Sequence, residues 1–386
     1  MRDTEPTGSL PTHIHFSDEQ AMLLDSAAAF CKQRSPSLTV RGLIPSESGF
    51  NPAVWDEIVQ LGWTGLAIPE EHGGSGLPVG HLAVIAEPMG RHLLATPFTS
   101  TQLCIQGLVA SGHAALQGRW LPGLGQGLIG TVALFEDDGD WDLGRPACSA
   151  TRAGGIAQLA GAKTLVTDAA VAGVVLVSVL LDGAPALAVL ATADLPAGAL
   201  QRETVIDETR RSHRLVLDGI QLAADALITG AAALAALQAI RGAAWLLLSA
   251  EAAGGMAGAL DVTVDYLNTR TAFGRKIGSY QGLKHPSADI LVSLERARSH
   301  VAHAATLLNE GADAEVALRM AKVEAGDGLV FASDRAVQFH GGFGFTYDCD
   351  AQLYLRRGLW LQAWFGDAAH HRRRLADRLW PLQVAA

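Results

Sequence analysis

From Phe16 to about Gly125 the apolar residues recur at spacings of three and four, as in EQAMLLDSAAAFC, VWDEIVQLGW and HLAVIAEPMGRHLL, which predicts several amphipathic helices. Ser17 followed by Gln20 reads as a capping box at the start of the first. The stretch from Ile68 to Gly76 reads as a loop, because Pro and Gly interrupt the period. Near residue 129 the pattern changes to short Val/Leu-rich runs divided by Gly, Pro or Asp, among them GTVALF, AQLAGAKTLVTDA, GVVLVSVLL, PALAVLA and SHRLVLDGIQL. Helical spacing returns at about Gly230, with long Ala/Leu-rich stretches at 232–270, 283–309, 312–339 and 366–380. The expectation is a mainly α chain with a β middle domain: a helical unit over 1–128, a β unit over 129–229 and a helical unit over 230–386.

Composition narrows the function classes. With 386 residues, 49% hydrophobic and 18% charged, the chain is long enough for more than one core. A net charge of −10 gives no footprint for wrapping a polyanion, so nucleic acid is not an expected partner. Cys31, Cys104, Cys148 and Cys349 stand far apart and form no zinc-site spacing, and His300/His303 lacks further ligands, so no metal is expected. The start, MRDTEPTGSLPTHIHF, does not read as a secretion signal. The apolar run Ala169–Leu181 is too short to span a bilayer, and Arg241 and Glu251 flank the one around Leu246. A soluble cytoplasmic protein without membrane insertion is the expectation.

Three segments carry candidate chemistry. In Arg270-Thr-Ala-Phe-Gly-Arg-Lys-Ile-Gly-Ser-Tyr-Gln281, Arg270 is a fixed cation at a helix end and Gly274 permits a left-handed turn that would stop the helix. The segment fits either a plain cap or a diphosphate site. In Gln338-Phe-His-Gly-Gly-Phe-Gly-Phe345, the glycines would let backbone approach a ligand, or form only a loop. In Lys163-Thr-Leu-Val-Thr-Asp168, strand alternation gives Thr167 a free hydroxyl, as a solvated or cross-strand threonine also would have.

Together these segments, with PEEHGGSG, LAGAKTLVTDA and IDETRR at 206–211, resemble the acyl-CoA dehydrogenase family over essentially the whole chain. The resemblance implies a helical N-terminal domain, a β-barrel and a C-terminal four-helix bundle, assembled as a dimer of dimers with FAD at a subunit interface. It implies that Arg270, Phe273, Gln281, Gln338, Gly341 and Gly342 contact the pyrophosphate and adenosine of a flavin held mainly by the neighbouring subunit. Thr167 would lie beside the flavin ring, and Leu165 stands where the family often has a ring-covering Trp. The implied partners are an acyl-CoA substrate and an electron-transfer acceptor protein.

The family's reaction takes the α-proton of an acyl-CoA thioester with a carboxylate while hydride passes from the β-carbon to the flavin. Neither family position for that base is acidic here: one holds Phe365 and the other Ala244, followed by Trp245 in place of an arginine. Phe135 replaces the hydroxyl residue that bonds the flavin ring, and it cannot make that bond. Asp367 and Glu251 are the remaining catalytic candidates, each with a structural alternative as a helix N-cap and a buried hydrogen-bonded carboxylate respectively. The basic run His370–Arg374 reads as a contact for CoA phosphates or as a solvated face. The segments Gly344-Phe-Thr-Tyr347, Leu353–Arg357 and Phe365–His371 resemble bacterial members that form α2β2 heteromers. The expectation is a base-lacking subunit that completes the FAD site of a homologous catalytic subunit. The alternatives are a self-sufficient dehydrogenase with a relocated base, a flavin monooxygenase-type member and a flavin-free scaffold.

Overall fold

The computed structural model describes residues 17–380, so the reading of Met1–Phe16 lies outside the described residues. The N-terminal helices are α1 (Asp18–Arg34), α2 (Ser37–Leu43), α3 (Pro52–Gln60), α4 (Ala83–Arg91), α5 (Phe98–Ser111) and α6 (Ala114–Gly125). The capping box is formed: Gln20 N–H donates to Ser17 Oγ at 3.1 Å and Ser17 N–H to Gln20 Oε1 at 2.9 Å.

Ten strands follow: β1 (Gly130–Ala133), β2 (Ser149–Ala153), β3 (Ile156–Ala160), β4 (Ala162–Thr167), β5 (Val174–Leu181), β6 (Ala184–Ala191), β7 (Leu200–Glu203), β8 (Ser212–Val216), β9 (Gln221–Ala223) and β10 (Leu227–Ile228). One sheet runs β10-β6-β5-β2-β3-β9 with β1 paired to β5, and a second runs β4-β8-β7. A Phe135–Thr164 bridge and the Thr131 Oγ1 bond to Thr167 O at 2.6 Å join them into a nearly closed barrel. The α, β, α order of the chain is therefore the architecture observed.

The C-terminal part begins with α7 (Gly230–Thr269), followed by a short hairpin, β11 (Thr271–Ala272) and β12 (Arg275–Lys276), and then α8 (Gln281–Asn309), α9 (Glu315–His340), α10 (Ala351–Ala363) and α11 (Ala368–Leu379). Helices α7 to α10 pack together, and α11 lies on α9. Helix α7 is long and apolar enough to cross a membrane by length and composition, yet Ala243–Ala259 is buried throughout inside the protein. Glycine makes this burial possible where α7 meets α4: a Cβ on Gly254 would lie 1.8 Å from Glu87 O, and one on Gly90 would lie 1.9 Å from Glu251 O. The excess of Ala and Gly thus sets how closely backbones approach.

Charged residues of IDETRR tie the three parts together. Arg357 on α10 pairs with Asp207 and, at 2.5 Å, with Glu251 on α7, while its remaining nitrogen reaches Thr209 Oγ1 at 2.6 Å. Arg210 also pairs with Glu251. Arg211 donates to the carbonyls of Leu43, Ile44 and Ser46, which fixes the turn after α2. Buried pairs of this kind add little net energy over an apolar core, but removing one partner strands a charge.

Candidate active site

The end of the bundle carries the first group of candidate residues. Helix α7 stops because Arg270 turns into an extended conformation, φ −71° and ψ 130°. Gly274 is not the stop signal. Phe273 (φ 51°) and Gly274 (φ 82°) are instead the two central residues of the β11–β12 turn, whose left-handed pair matches the twist of a two-residue hairpin. Tyr280 braces it, donating to Ala272 O at 3.2 Å while Arg275 sits 4.1 Å over its ring. Gln281 opens α8, and Gln338 lies in the last turn of α9, which ends at His340 just before Gly341 and Gly342. A 4.1 Å stack of Tyr266 on His340 brings the ends of α7 and α9 side by side.

Arg270, Phe273, Gln281, Gln338, Gly341 and Gly342 are all exposed in the single chain, and Phe273 reaches 94%. Arg270 has no carboxylate partner among the described residues, and a Cβ on Gly341 or Gly342 would meet nothing within 4 Å. A free guanidinium, a projecting aromatic ring and open backbone suit an external diphosphate and its nucleoside.

Thr167 and Leu165 lie apart from this surface, on β4. Leu165 takes φ 55° at a bulge between Lys163 and Val166, and its N–H donates to Glu203 Oε2 at 3.0 Å. Thr167 is 4% exposed, and its Oγ1 has no hydrogen-bond partner among the described residues. An orphaned buried hydroxyl is costly unless a ligand completes it. Its backbone is held by Thr131 and by the next residue: Asp168 N–H donates to Arg211 O at 2.9 Å and Ser100 Oγ to Asp168 Oδ2 at 2.6 Å. Burial pushes the Asp168 carboxyl above its ordinary range, and the Ser100 bond only partly offsets this.

The third region surrounds Phe365, which is 3% exposed and has φ 61°. Its ring meets Phe135 edge-on with centroids 4.8 Å apart, and Phe135 meets Trp141 at the same distance. Trp245 Nε1 donates to Phe365 O at 3.0 Å. Ala244, beside it, is fully buried. Lys322 donates to the carbonyls of Leu361, Gln362 and Gly366 at 2.7, 3.0 and 3.1 Å, and burial lowers its pKa to about 7. His371 meets Trp245 edge-on, with ring centroids 5.1 Å apart; burial, then the charges of Lys322 and Arg319, lower its pKa to about 2.

Neither remaining carboxylate candidate is placed as a base. Asp367 is exposed and caps α11, accepting from His370 N–H at 2.7 Å. Glu251 is buried and held in ion pairs with Arg210 and Arg357, so its carboxylate is already engaged by two guanidinium groups. The basic run is divided: Arg372 pairs with Asp327, Arg374 faces Asp142 at 3.5 Å, and His371 is buried. Among the described residues no His, Cys, Asp and Glu group could hold a metal ion.

Comparison with known proteins places this geometry. The acyl-CoA dehydrogenase N-terminal domain model matches residues 17–127, and the acyl-CoA dehydrogenase C-terminal domain model matches 231–380. Acyl-CoA dehydrogenase FadE12 of Mycobacterium tuberculosis is 33% identical over 308 residues, 76% of this chain and 79% of that one. The chain belongs to the acyl-CoA dehydrogenase family. Acyl-CoA dehydrogenase IpdE2 of Mycolicibacterium smegmatis is 29% identical over 346 residues, covering 88% and 92% of the two chains. A solved variant of the Tcur3481–Tcur3483 steroid ACAD matches with a TM-score of 0.83 and 29% identity over 94% of this chain and 98% of that one.

Acyl-CoA dehydrogenases are oxidoreductases and flavoproteins, so the three regions can be weighed against that chemistry. The bundle end fits a flavin diphosphate, and Thr167 fits a ring contact through its free hydroxyl. Phe135 and Phe365 do not fit a site that must abstract a proton, since neither ring has a titratable group. Sequence patterns did not reveal Lys322, Arg319 or Trp141 as members of this region. Lys322 and Arg319 had a usable signal, two cations within the largely apolar run Ala317–Val323 of α9.

Proposed function

We propose that this chain is the base-lacking subunit of a FAD-dependent acyl-CoA dehydrogenase, completing a flavin site whose catalytic carboxylate comes from a homologous subunit. The observation that carries the reading is the Phe135–Phe365 contact: rings occupy both the base position and the flavin-hydroxyl position and touch each other. Bound FAD would supply the hydride acceptor for α,β-dehydrogenation of the thioester. Arg270 would neutralise phosphate oxygens, Phe273 and Gln281 would contact the nucleoside, and Gln338 with the Gly341–Gly342 backbone would complete the hydrogen bonds. The relation to a protein described as a steroid ACAD supports a bulky acyl chain, and its two-component description supports pairing with a homologue. A tetrameric assembly, an electron-transfer acceptor protein and a cytoplasmic setting belong to the same reading.

The reading is tested by purifying the chain alone and co-expressed with a homologous subunit, then measuring flavin by visible absorbance and turnover with an artificial electron acceptor. Flavin retention and turnover only in the pair are the expected result. Family-like acyl-CoA oxidation by the chain alone overturns it.

A further inference from the structure

We propose that Phe135, Phe365 and Trp141 fill the place of the acyl chain, and that Trp245 and Lys322 are the positioning residues that hold this plug shut. The proposal rests on the reading of the chain as a base-lacking subunit and adds that its own acyl site is closed to substrate, whatever its flavin does.

Three separate holds converge on one turn. The Lys322 ammonium uses all three of its hydrogens on the carbonyls of Leu361, Gln362 and Gly366, which bracket Phe365 in the chain. Trp245 fixes the intervening carbonyl of Phe365 itself. The ring of Phe365 then closes on Phe135 at edge-contact distance, which leaves no room for a thioester between them.

The backbone shows that this placement is imposed. A positive φ is uncommon for an aromatic residue and persists only where the surroundings over-determine it. The next residue must be glycine: Gly366 has φ 104°, and a Cβ there would lie 2.9 Å from the rings of both His370 and His371. Trp245 is itself held, with Arg319 stacked 4.3 Å over its ring and Arg241 at 5.0 Å. Phe135 is fixed from the barrel side, where its carbonyl accepts from Thr164 N–H at 2.9 Å and Trp141 backs its ring.

The test uses calorimetric titration of the full chain with acetyl-CoA, butyryl-CoA and octanoyl-CoA, followed by turnover measurement in the same samples. Affinity that does not change with acyl length is expected for the unaltered protein, since no tail enters. The Phe135→Ala/Phe365→Ala variant should bind octanoyl-CoA about tenfold or more tighter than acetyl-CoA, as buried methylenes do. Trp245→Phe, which keeps most of the ring volume and deletes the N–H, and Lys322→Met should each acquire about threefold length dependence through release of the turn. They also keep the test decisive if the double variant fails to fold. Affinity rising with length in the unaltered protein, or length-independent binding by both single variants, overturns the closed site. Length-dependent binding without turnover overturns the closed site alone, whereas turnover by the chain alone overturns the base-lacking reading.

Discussion

The two ends of the candidate site have been treated in opposite ways by the same fold. At the bundle end, Arg270, Phe273 and Gln338 stand exposed, and Arg270 is unpaired among the described residues. At the barrel end, Phe135, Phe365 and Trp245 are buried against one another and their polar atoms are matched, as in the Trp245 bond to Phe365 O. The exposed bundle-end groups are free to meet something outside the chain, whereas the Trp245 hydrogen bond and the ring contacts are made internally and serve the fold. Substitutions should therefore separate the ends: the exposed end should govern flavin uptake with little effect on stability, and the buried end the reverse.

The largest effects belong to the buried end. Phe365→Ala should lower unfolding free energy by about 3–5 kcal/mol in a urea titration, through lost burial and the cavity left beside Phe135. Flavin affinity of the co-expressed complex should stay within about twofold; a large loss would show that Phe365 shapes the cofactor site. Arg357→Met should cost a similar amount, about 3–5 kcal/mol, because Asp207 and Glu251 would be left buried without their shared cation. The burial cost of Asp207 is at present outweighed by the Arg357 and Arg210 charges, which hold its carboxyl below the usual range.

Arg270→Ala tests the other side of the comparison. A lost charge-assisted bond of about 1.5–3 kcal/mol corresponds to roughly ten- to a hundredfold weaker flavin binding, read by titrating the deflavinated complex. Stability should change by less than about 0.5 kcal/mol, as for an exposed residue without internal partners. A stability loss as large as that of Phe365→Ala would erase the distinction between the two ends.

The α, β, α order was legible because period and composition change together near residues 129 and 230. The bundle-end residues were legible as a resemblance because they sit in two short segments whose spacing survives in one dimension. The plug was not. Phe135, Trp245 and Phe365 come from three distant segments, and nothing local says that two phenylalanines will meet edge-on. Lys322 is not legible because a cation in a helix ordinarily faces water, and the carbonyls that receive it belong to the last turn of α10 and to Gly366 in the turn beyond it, where no helix is expected from the sequence. Gly274 was assigned the wrong task for a local reason: Phe273 shares its positive φ, so the pair turns a hairpin instead of ending a helix.

The smallest effect expected is a pH dependence confined to the buried end. His371 titrates near 6.5 in an unfolded chain but is lowered to about 2 in the fold by burial and the nearby Lys322 and Arg319 charges. Above pH 6.5 both states are neutral at this site. Below it the unfolded chain binds a proton that the folded chain refuses, so stability is lost as pH falls from 6.5 toward 2. His92, His213 and His370 are lowered in the same direction by burial and contribute to the slope. Comparing the protein with His371→Gln isolates one site: between pH 7 and pH 5 the variant should lose about 2 kcal/mol less, measured by urea unfolding at each pH. Flavin binding by the complex, which belongs to the exposed end, should stay level over the interval. Equal acid slopes in the two proteins would mean that His371 takes up a proton without unfolding, and that water reaches the end of the site that is packed shut in this structure.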